Sequence, residues 1–312
     1  MANRRIIFAG SGEFGLPSLR AILDSDDELV QVITQPDRPA GRGRSFTPTP
    51  IGVAAESAGL PLLKTADINR ETLPGADVLV VIAFGQKLAE SVVNHPRLGS
   101  INLHASILPK YRGAAPINWA IIRGETTTGN SIIRLAQRMD AGAILAQSTL
   151  MIDPLETAGE LHDRLAADGA PLLTKTLAAL SEGRVVETPQ DESLATLSPK
   201  LSRETALLDF TRPAAELAAK IRGLYPWPGC RVVVRDAAGG EIARLRLVRA
   251  RAAIDEEGPR WQPGEVMMCS MISTPDGALE IVELQPEGGK PMPLSDYRRG
   301  HRWEPGLRLT PG

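Results

Sequence analysis

A chain of 312 residues with a net charge of -2, 43% hydrophobic and 23% charged residues, has the length for two domains and the composition of an ordinary soluble protein. The balanced charge excludes a globally polybasic nucleic-acid binder, so any contact with nucleic acid has to come from local patches. No apolar run approaches the roughly 18 residues of a membrane span, the N-terminal MANRRIIFAG has no signal-peptide core followed by a cleavage site, and Cys230 and Cys269 sit in no metal-ligand spacing, which together predict a cytoplasmic protein with two reduced thiols and no metal.

Short apolar runs at residues 6–9, 29–34, 78–84, 100–103 and 131–135 read as strands, and residues 16–23, 51–58, 86–93 and 116–123 as helices. That alternation predicts an α/β domain with a Rossmann-like, largely parallel sheet, whose ligands bind beyond the carboxyl ends of the strands. The first turn, Gly10-Ser11-Gly12-Glu13-Phe14-Gly15, fits the G-x-G-x-x-G spacing of a dinucleotide-binding loop. The same glycines serve a tight strand-to-helix turn, and with no independent support for a dinucleotide the turn is the reading taken. A long helix follows at 157–180, its leucines at mostly helical spacing and Gly183 beyond its end.

Residues 184–203 lose periodicity and turn polar, as an interdomain linker does. A helix at 213–224 then precedes strands at 231–235, 242–248, 265–269 and 279–284, the last two separated by Pro275-Asp276-Gly277. A small C-terminal β-barrel of OB-like type closes so many short strands. The expected organisation is a catalytic domain at 1–183, a linker at 184–206 and the barrel at 207–312.

The chemistry concentrates in INLHASILPKYRGAAPI, residues 101–117. On a strand, Ile101 and Leu103 face one way while Asn102 and His104 project together from the other, about 6.6 to 6.8 Å apart. An amide donor and an imidazole at that spacing suit a carbonyl that becomes an oxyanion under nucleophilic attack. Asp140, in RMDAGAIL after the strand at 131–135, is a carboxylate able to set an imidazole's tautomer and take up charge. Neither a G-x-S-x-G elbow nor a Cys-His pair offers a nucleophilic side chain. Taken singly, His104 also fits a hydrogen-bonded structural histidine and Asp140 a turn residue before Gly142. His95, His162 and His301 read as surface or capping residues.

Two arginine groups remain. Arg38, Arg42 and Arg44 lie among the prolines and glycines of residues 34–50, and Arg244, Arg246, Arg249 and Arg251 lie in ARLRLVRAR, where a bulge or a strand end between the two pairs would bring all four to one face. Each group is either a phosphate-contacting surface or a solvated one.

The run Asn102-x-His104-x-x-x-Leu108-Pro109-x-x-Arg112-Gly113, together with Asp140-Ala141-Gly142, resembles the signature of the 10-formyltetrahydrofolate-dependent formyltransferases. TQPDRPAGRGRSFTPTP, LSPKLSRETALLDFTRPAAEL, YPWPG and LQPEGGKPMPLSDYRRGHRW resemble the branch of that family acting on methionyl-tRNA. The resemblance implies Asn102, His104 and Asp140 as catalytic residues, Ser106, Ile107, Leu108 and Pro109 as the folate-contacting segment, and Phe84-Gly85-Gln86 as a second wall of the folate pocket. There a phenylalanine stands where the family usually has tyrosine. It also implies 10-formyltetrahydrofolate as donor, initiator methionyl-tRNA as partner with Arg42 as the main contact, no DNA or membrane partner, and a monomer. The first loop departs from the family's usual G-T-P-x-F-A, and that departure creates the glycine fingerprint. The alternatives are a formyltransferase for a small amine (glycinamide ribonucleotide or a nucleotide amino-sugar), a nicotinamide-dependent dehydrogenase, and an RNA-binding protein with an inert catalytic half.

Overall fold

The computed structural model describes residues 4–40, 45–254 and 261–312. The chain forms two compact units that interleave along the sequence, the first built from residues 1–113, 129–150 and 162–197, the second from 114–128, 151–161 and 198–312. Among the described residues no helix is long and apolar enough to cross a membrane.

In the first unit, β1 (Arg5–Gly10), β2 (Glu28–Thr34), β5 (Leu62–Lys64), β6 (Val78–Ile82), β7 (Ser100–His104), β8 (Ser131–Arg134) and β9 (Ile144–Gln147) make one sheet in the order β9-β8-β7-β6-β1-β2-β5. Pairing is parallel from β7 to β5 and antiparallel at β7–β8 and β8–β9. The continuous apolar runs in β1 and β6 reflect strands covered on both faces: Ile6, Ile7, Phe8 and Ala9, like Val78 to Ile82, are buried. Helix Ala158–Ser181 lays Leu165, Leu173 and Leu177 into the core, confirming its leucine spacing as packing. Residues 38–40 and 45–47 pair as a short antiparallel hairpin, β3 and β4, within the arginine-glycine loop.

Packing explains the glycines of the first turn. A methyl on Gly10 would lie 2.8 Å from the Phe8 ring and 2.9 Å from the Ile82 carbonyl, so only glycine lets β1 approach β6 there. Ser11 then ties the ends of three strands together, accepting from the Gln35 amide at 3.2 Å and from the Thr34 hydroxyl at 3.3 Å while donating to the Phe84 carbonyl at 3.4 Å. The helix predicted at 86–93 shortens to Glu90–Val93, because Asn69 bonds the backbone of Lys87 and Ala89 while the Gln86 side chain reaches the backbone of Thr65 and Ile68, which holds residues 86–89 in an irregular run.

In the second unit, β10 (Cys230–Arg235), β11 (Glu241–Ala253), β12 (Ile272–Thr274), β13 (Gly277–Pro286) and β14 (Arg308–Pro311) form an antiparallel sheet ordered β12-β13-β11-β10-β14. The expected strand at 265–269 is corrected: Glu265 bridges Arg308 and Val266 bridges Ile272, and the chain then turns back with the Met267 amide on the Met271 carbonyl at 2.8 Å. Those two residues join the sheet's opposite edges and bring the barrel close to closure. Helix Ala214–Gly223 packs Leu217, Ala218 and Ile221 into the barrel's core beside Val232, Leu245, Leu247 and Leu284.

Thr157 and Glu160 form a reciprocal cap at the start of helix Ala158–Ser181, the Thr157 amide donating to Glu160 Oε2 at 2.8 Å and the Glu160 amide to Thr157 Oγ1 at 3.4 Å. Arg249 also pairs with Glu160 at 2.8 Å, and its guanidinium draws the Glu160 carboxyl down from 4.5 to about 2. A depressed carboxylate adds stability above its unfolded value and loses it as pH falls from about 4.5 to about 2. With the Glu160 side chain 51% exposed, screening limits that contribution to about 1 kcal/mol. Glu160→Gln, which keeps the cap, is expected to lower stability by about that much at neutral pH, with the wild-type advantage vanishing near pH 2 in urea-unfolding curves.

Candidate active site

Strand β7 places Asn102 and His104 on the same face, with Ile101 and Leu103 buried on the other, as the alternation predicts. Asn102 is half-buried, and its side-chain amide has no hydrogen-bond partner among the described residues. His104 is buried, 6% exposed, with Nε2 2.9 Å from the Tyr111 carbonyl oxygen. A carbonyl only accepts, so Nε2 carries the hydrogen and Nδ1 is the nitrogen left for chemistry.

Nδ1 faces Asp140 Oδ2 at 3.7 Å, too long for a direct hydrogen bond but close for a carboxylate and an imidazolium. Asp140 is held independently of His104. Its Oδ2 accepts the Gly113 amide at 2.8 Å, and its backbone takes a left-handed φ of 54°, which aspartate tolerates better than most residues. The three expected catalytic residues therefore converge, from the end of β7 and from the turn after β8.

A second layer fixes that turn, and it comes from a stretch expected to be linker. Gln190 Nε2 donates to the carbonyls of Asp140 and Gly142, each at 2.8 Å, while its Oε1 accepts from Arg112 at 2.7 and 3.0 Å. The other side of the Arg112 guanidinium grips Glu192 at 2.9 and 3.0 Å. Arg112, with help from Arg138, holds the Glu192 carboxyl at about 2, so it stays ionised through the physiological range. Thr196 anchors the neighbouring loop, its hydroxyl taking the Tyr111 amide at 2.9 Å. Residues 184–197 thus pack as part of the first unit; Thr188 and Ile144 exchange backbone hydrogen bonds at 2.8 and 2.9 Å. Nothing local in a polar run signals partners 50 to 80 residues upstream.

Gly142 in the same turn is forced by close approach, since a methyl there would lie 1.8 Å from the Arg134 carbonyl oxygen. Gly142→Ala has to displace backbone. It is expected to cost more than about 2 kcal/mol and to shift Asp140, read as a lowered Tm and a loss of turnover in whatever fraction remains folded.

The loop after β7 is pinned from below. Ser106 donates its hydroxyl to the Lys110 carbonyl, and its own carbonyl accepts from the Ser131 hydroxyl, each at 2.6 Å. The Leu108 amide donates to Ser131 Oγ at 3.0 Å and its carbonyl accepts from Gln147 at 2.9 Å. Ser106 and Leu108 are buried, so of the expected folate segment Ile107 and Pro109 keep side-chain surface for a ligand.

Of the second expected wall, Gly85 is exposed, but the Phe84 ring is 2% exposed and packs with Ile7, Ile33, Leu79 and Val92. It presents no aromatic platform. The reason is backbone: Ala83 and Gly85 take positive φ of 46° and 77°, turning Phe84 inward and leaving its carbonyl to Gln35 at 2.6 Å. Gln86 bonds the backbone of Thr65 and Ile68 and acts as a brace.

Among the expected RNA-contacting arginines, Arg38 is exposed and donates to Gln35, while Arg42 and Arg44 lie outside the described residues. In β11 a register shift around Arg249 resets the alternation, so Arg244, Arg246, Arg249 and Arg251 all stand outward from the barrel. Three of them meet carboxylates: Arg244 on Glu241 at 2.7 Å, Arg249 on Glu160 and Glu283 at 2.8 and 3.2 Å, and Arg251 on Glu280 at 2.6 Å. These partners raise all three guanidinium pKa values, the hydrogen-bonded glutamate being the main cause in each.

Residues 4–177 match the formyl transferase family and residues 200–302 the formyl transferase C-terminal domain. The chain is 38% identical to a methionyl-tRNA formyltransferase of Geobacter sulfurreducens, with 99% of this chain and 98% of that one covered. It is 42% identical to one of Chromohalobacter salexigens, at 98% and 97% coverage. A solved N-formyltransferase of Helicobacter canadensis, in complex with folinic acid and dTDP-3-aminofucose, superposes with a TM-score of 0.65 at 17% identity, covering 89% of this chain and 98% of that one, a likeness of fold. Both halves of the chain, and the sheet that carries Asn102, His104 and Asp140, belong to the formyl transferase family.

Proposed function

We propose that this protein transfers the formyl group of 10-formyltetrahydrofolate to the α-amino nitrogen of methionyl initiator tRNA. The observation that carries the reading is the convergence of a partner-free Asn102 amide, the open Nδ1 of His104 and the braced carboxylate of Asp140 at the rim of the sheet. Full-length identity of 38% and 42% to methionyl-tRNA formyltransferases supports the choice of acceptor.

The transfer forms a C–N bond between amine and formyl carbon and breaks the one to the folate nitrogen, and a proton passes from the amine to that nitrogen. The Asn102 amide donates to the formyl oxygen as it turns into an oxyanion. His104, protonated on Nδ1 while Nε2 stays on Tyr111, is the second donor, and Asp140 balances the imidazolium charge. The folate donor fits the residues present: the unpaired Asn102 amide needs an acceptor, and the half-buried faces of Ile107 and Pro109 supply an apolar edge beside it. Arg38, Arg42 and Arg44 are assigned to the acceptor end of the tRNA, Arg42 foremost.

The test is transfer of labelled formyl from 10-formyltetrahydrofolate to initiator and elongator methionyl-tRNA, with glycinamide ribonucleotide and a nucleotide amino-sugar as competing acceptors. Product on initiator tRNA with the others near background is the expected result. Product on a small amine alone overturns the acceptor, and no product on any of them overturns the reaction.

A further inference from the structure

The pairing of Arg244, Arg249 and Arg251 with glutamates leaves the outer face of the barrel with its available positive charge elsewhere. Arg246 and Arg231 stand directly opposite each other on β11 and β10, and neither makes an ion pair among the described residues. Like charges placed opposite across a ladder repel, so this pair is disfavoured until an anion bridges it. Arg231 is exposed and Arg246 half-exposed, which leaves both guanidinium groups accessible.

The loop that leads into β10 displays an aromatic side chain that the fold leaves uncovered. Trp227 is 59% exposed, whereas Trp303 is 6% exposed and Trp119 and Trp261 are half-buried. Its loop is well braced: the Gly229 amide donates to the Leu224 carbonyl at 2.8 Å and the Gly159 amide to the Tyr225 carbonyl at 3.2 Å. Gly229, two residues on, has a φ of 77°, and a methyl on it would meet the Arg246 side chain at 2.9 Å, so the Arg246 stem lies against the loop that displays the indole.

An accessible indole on the loop that the Arg246 stem packs against, with two unneutralised guanidinium groups on the strands that follow, is the chemistry of a nucleotide grip, the base stacking on the ring and the phosphates held by the forks. We propose that Trp227, Arg231 and Arg246 form a subsite for one unpaired nucleotide of the tRNA substrate, with its base on Trp227 and its flanking phosphates on the two arginines. The subsite rests on the proposed tRNA reading and adds affinity and orientation to it without touching the formyl group.

The experiment uses the full-length protein with initiator methionyl-tRNA, measuring Kd across a salt series, the quenching of tryptophan fluorescence, and kcat and KM for formylation. Trp227→Leu is expected to raise Kd and KM for tRNA about 5- to 100-fold, with kcat and the folate KM unchanged, and Trp227→Phe to recover most of the loss. The tRNA-induced quench is expected to shrink in both variants. Arg231→Gln with Arg246→Gln is expected to flatten the plot of log K against log salt by about 2. Trp227 and Arg231 are surface side chains, and unchanged melting curves are expected to show the variants folded. Wild-type affinity, salt slope and quench in folded variants overturn the subsite while formylation by the wild type stands. Failure of the wild type to bind or formylate the tRNA overturns the reading beneath it instead.

Discussion

Replacing His104 by alanine is expected to lower kcat for formyl transfer by about 10²- to 10⁴-fold, equivalent to roughly 3 to 5 kcal/mol of transition-state stabilisation. The size follows from the position of the ring. Nε2 is committed to the Tyr111 carbonyl, so the imidazole is oriented before any ligand arrives, and Nδ1 is aimed towards the Asp140 carboxylate 3.7 Å away. A pre-oriented donor in a buried site is worth more than one in water, because nothing has to reorganise as charge develops. Alanine removes that donor together with the bond to Tyr111, so about 1 kcal/mol of stability is expected to go with it. The two losses separate experimentally. A Tm lowered by a few degrees reports the lost hydrogen bond, and single-turnover rates on folded protein report the lost donor, with the Kd for tRNA close to that of the wild type. An alanine variant turning over within a few-fold of the wild type sinks the assignment.

Much of this site was legible because strand periodicity is a strong constraint. Once residues 100–104 are a strand, Asn102 and His104 must share a face, and the observed burial of Ile101 and Leu103 shows why: the sheet's interior takes the aliphatic pair. The long helix and the apolar strands β1 and β6 were legible for the same reason, since their periods match the surfaces they bury. What stayed hidden depends on residues far apart in sequence. Gln190 and Glu192 sit in a polar run that looks like linker, and only the fold reveals that they satisfy a buried guanidinium and two turn carbonyls. Phe84 misled through the resemblance: its position implied a wall of the folate pocket, whereas positive φ on both neighbours sends the ring into the core. The β11 arginines show the converse. The change of phase between the two arginine pairs was readable in the sequence, but the glutamates that neutralise three of them come from β13, from the first residue of β11 itself and from the helix start at Glu160.

Asp140→Asn tests a different link from the His104 variant, because it keeps the shape of the site and removes one charge. Asparagine retains a carbonyl oxygen that can take the Gly113 amide, and Gln190 holds the backbone of residue 140 through its carbonyl, so the turn is expected to survive. The structure offers His104 Nδ1 no other charged partner among the described residues. Without the carboxylate, an imidazolium formed at Nδ1 has no counter-charge in a site from which water is largely excluded, and a buried uncompensated charge is costly. The asparagine amide also points a donor where the proton on Nδ1 would be, opposing that protonation state. A fall in kcat of about 10²- to 10⁴-fold is therefore expected, with folate affinity and Tm near wild type. Asp140→Glu separates charge from placement: it restores the charge but puts an extra methylene between the Gly113 amide and Nδ1, and is expected to recover only part of the activity. If asparagine at this position supports wild-type turnover, the carboxylate serves only to hold the turn, and charge compensation of His104 is not part of the mechanism.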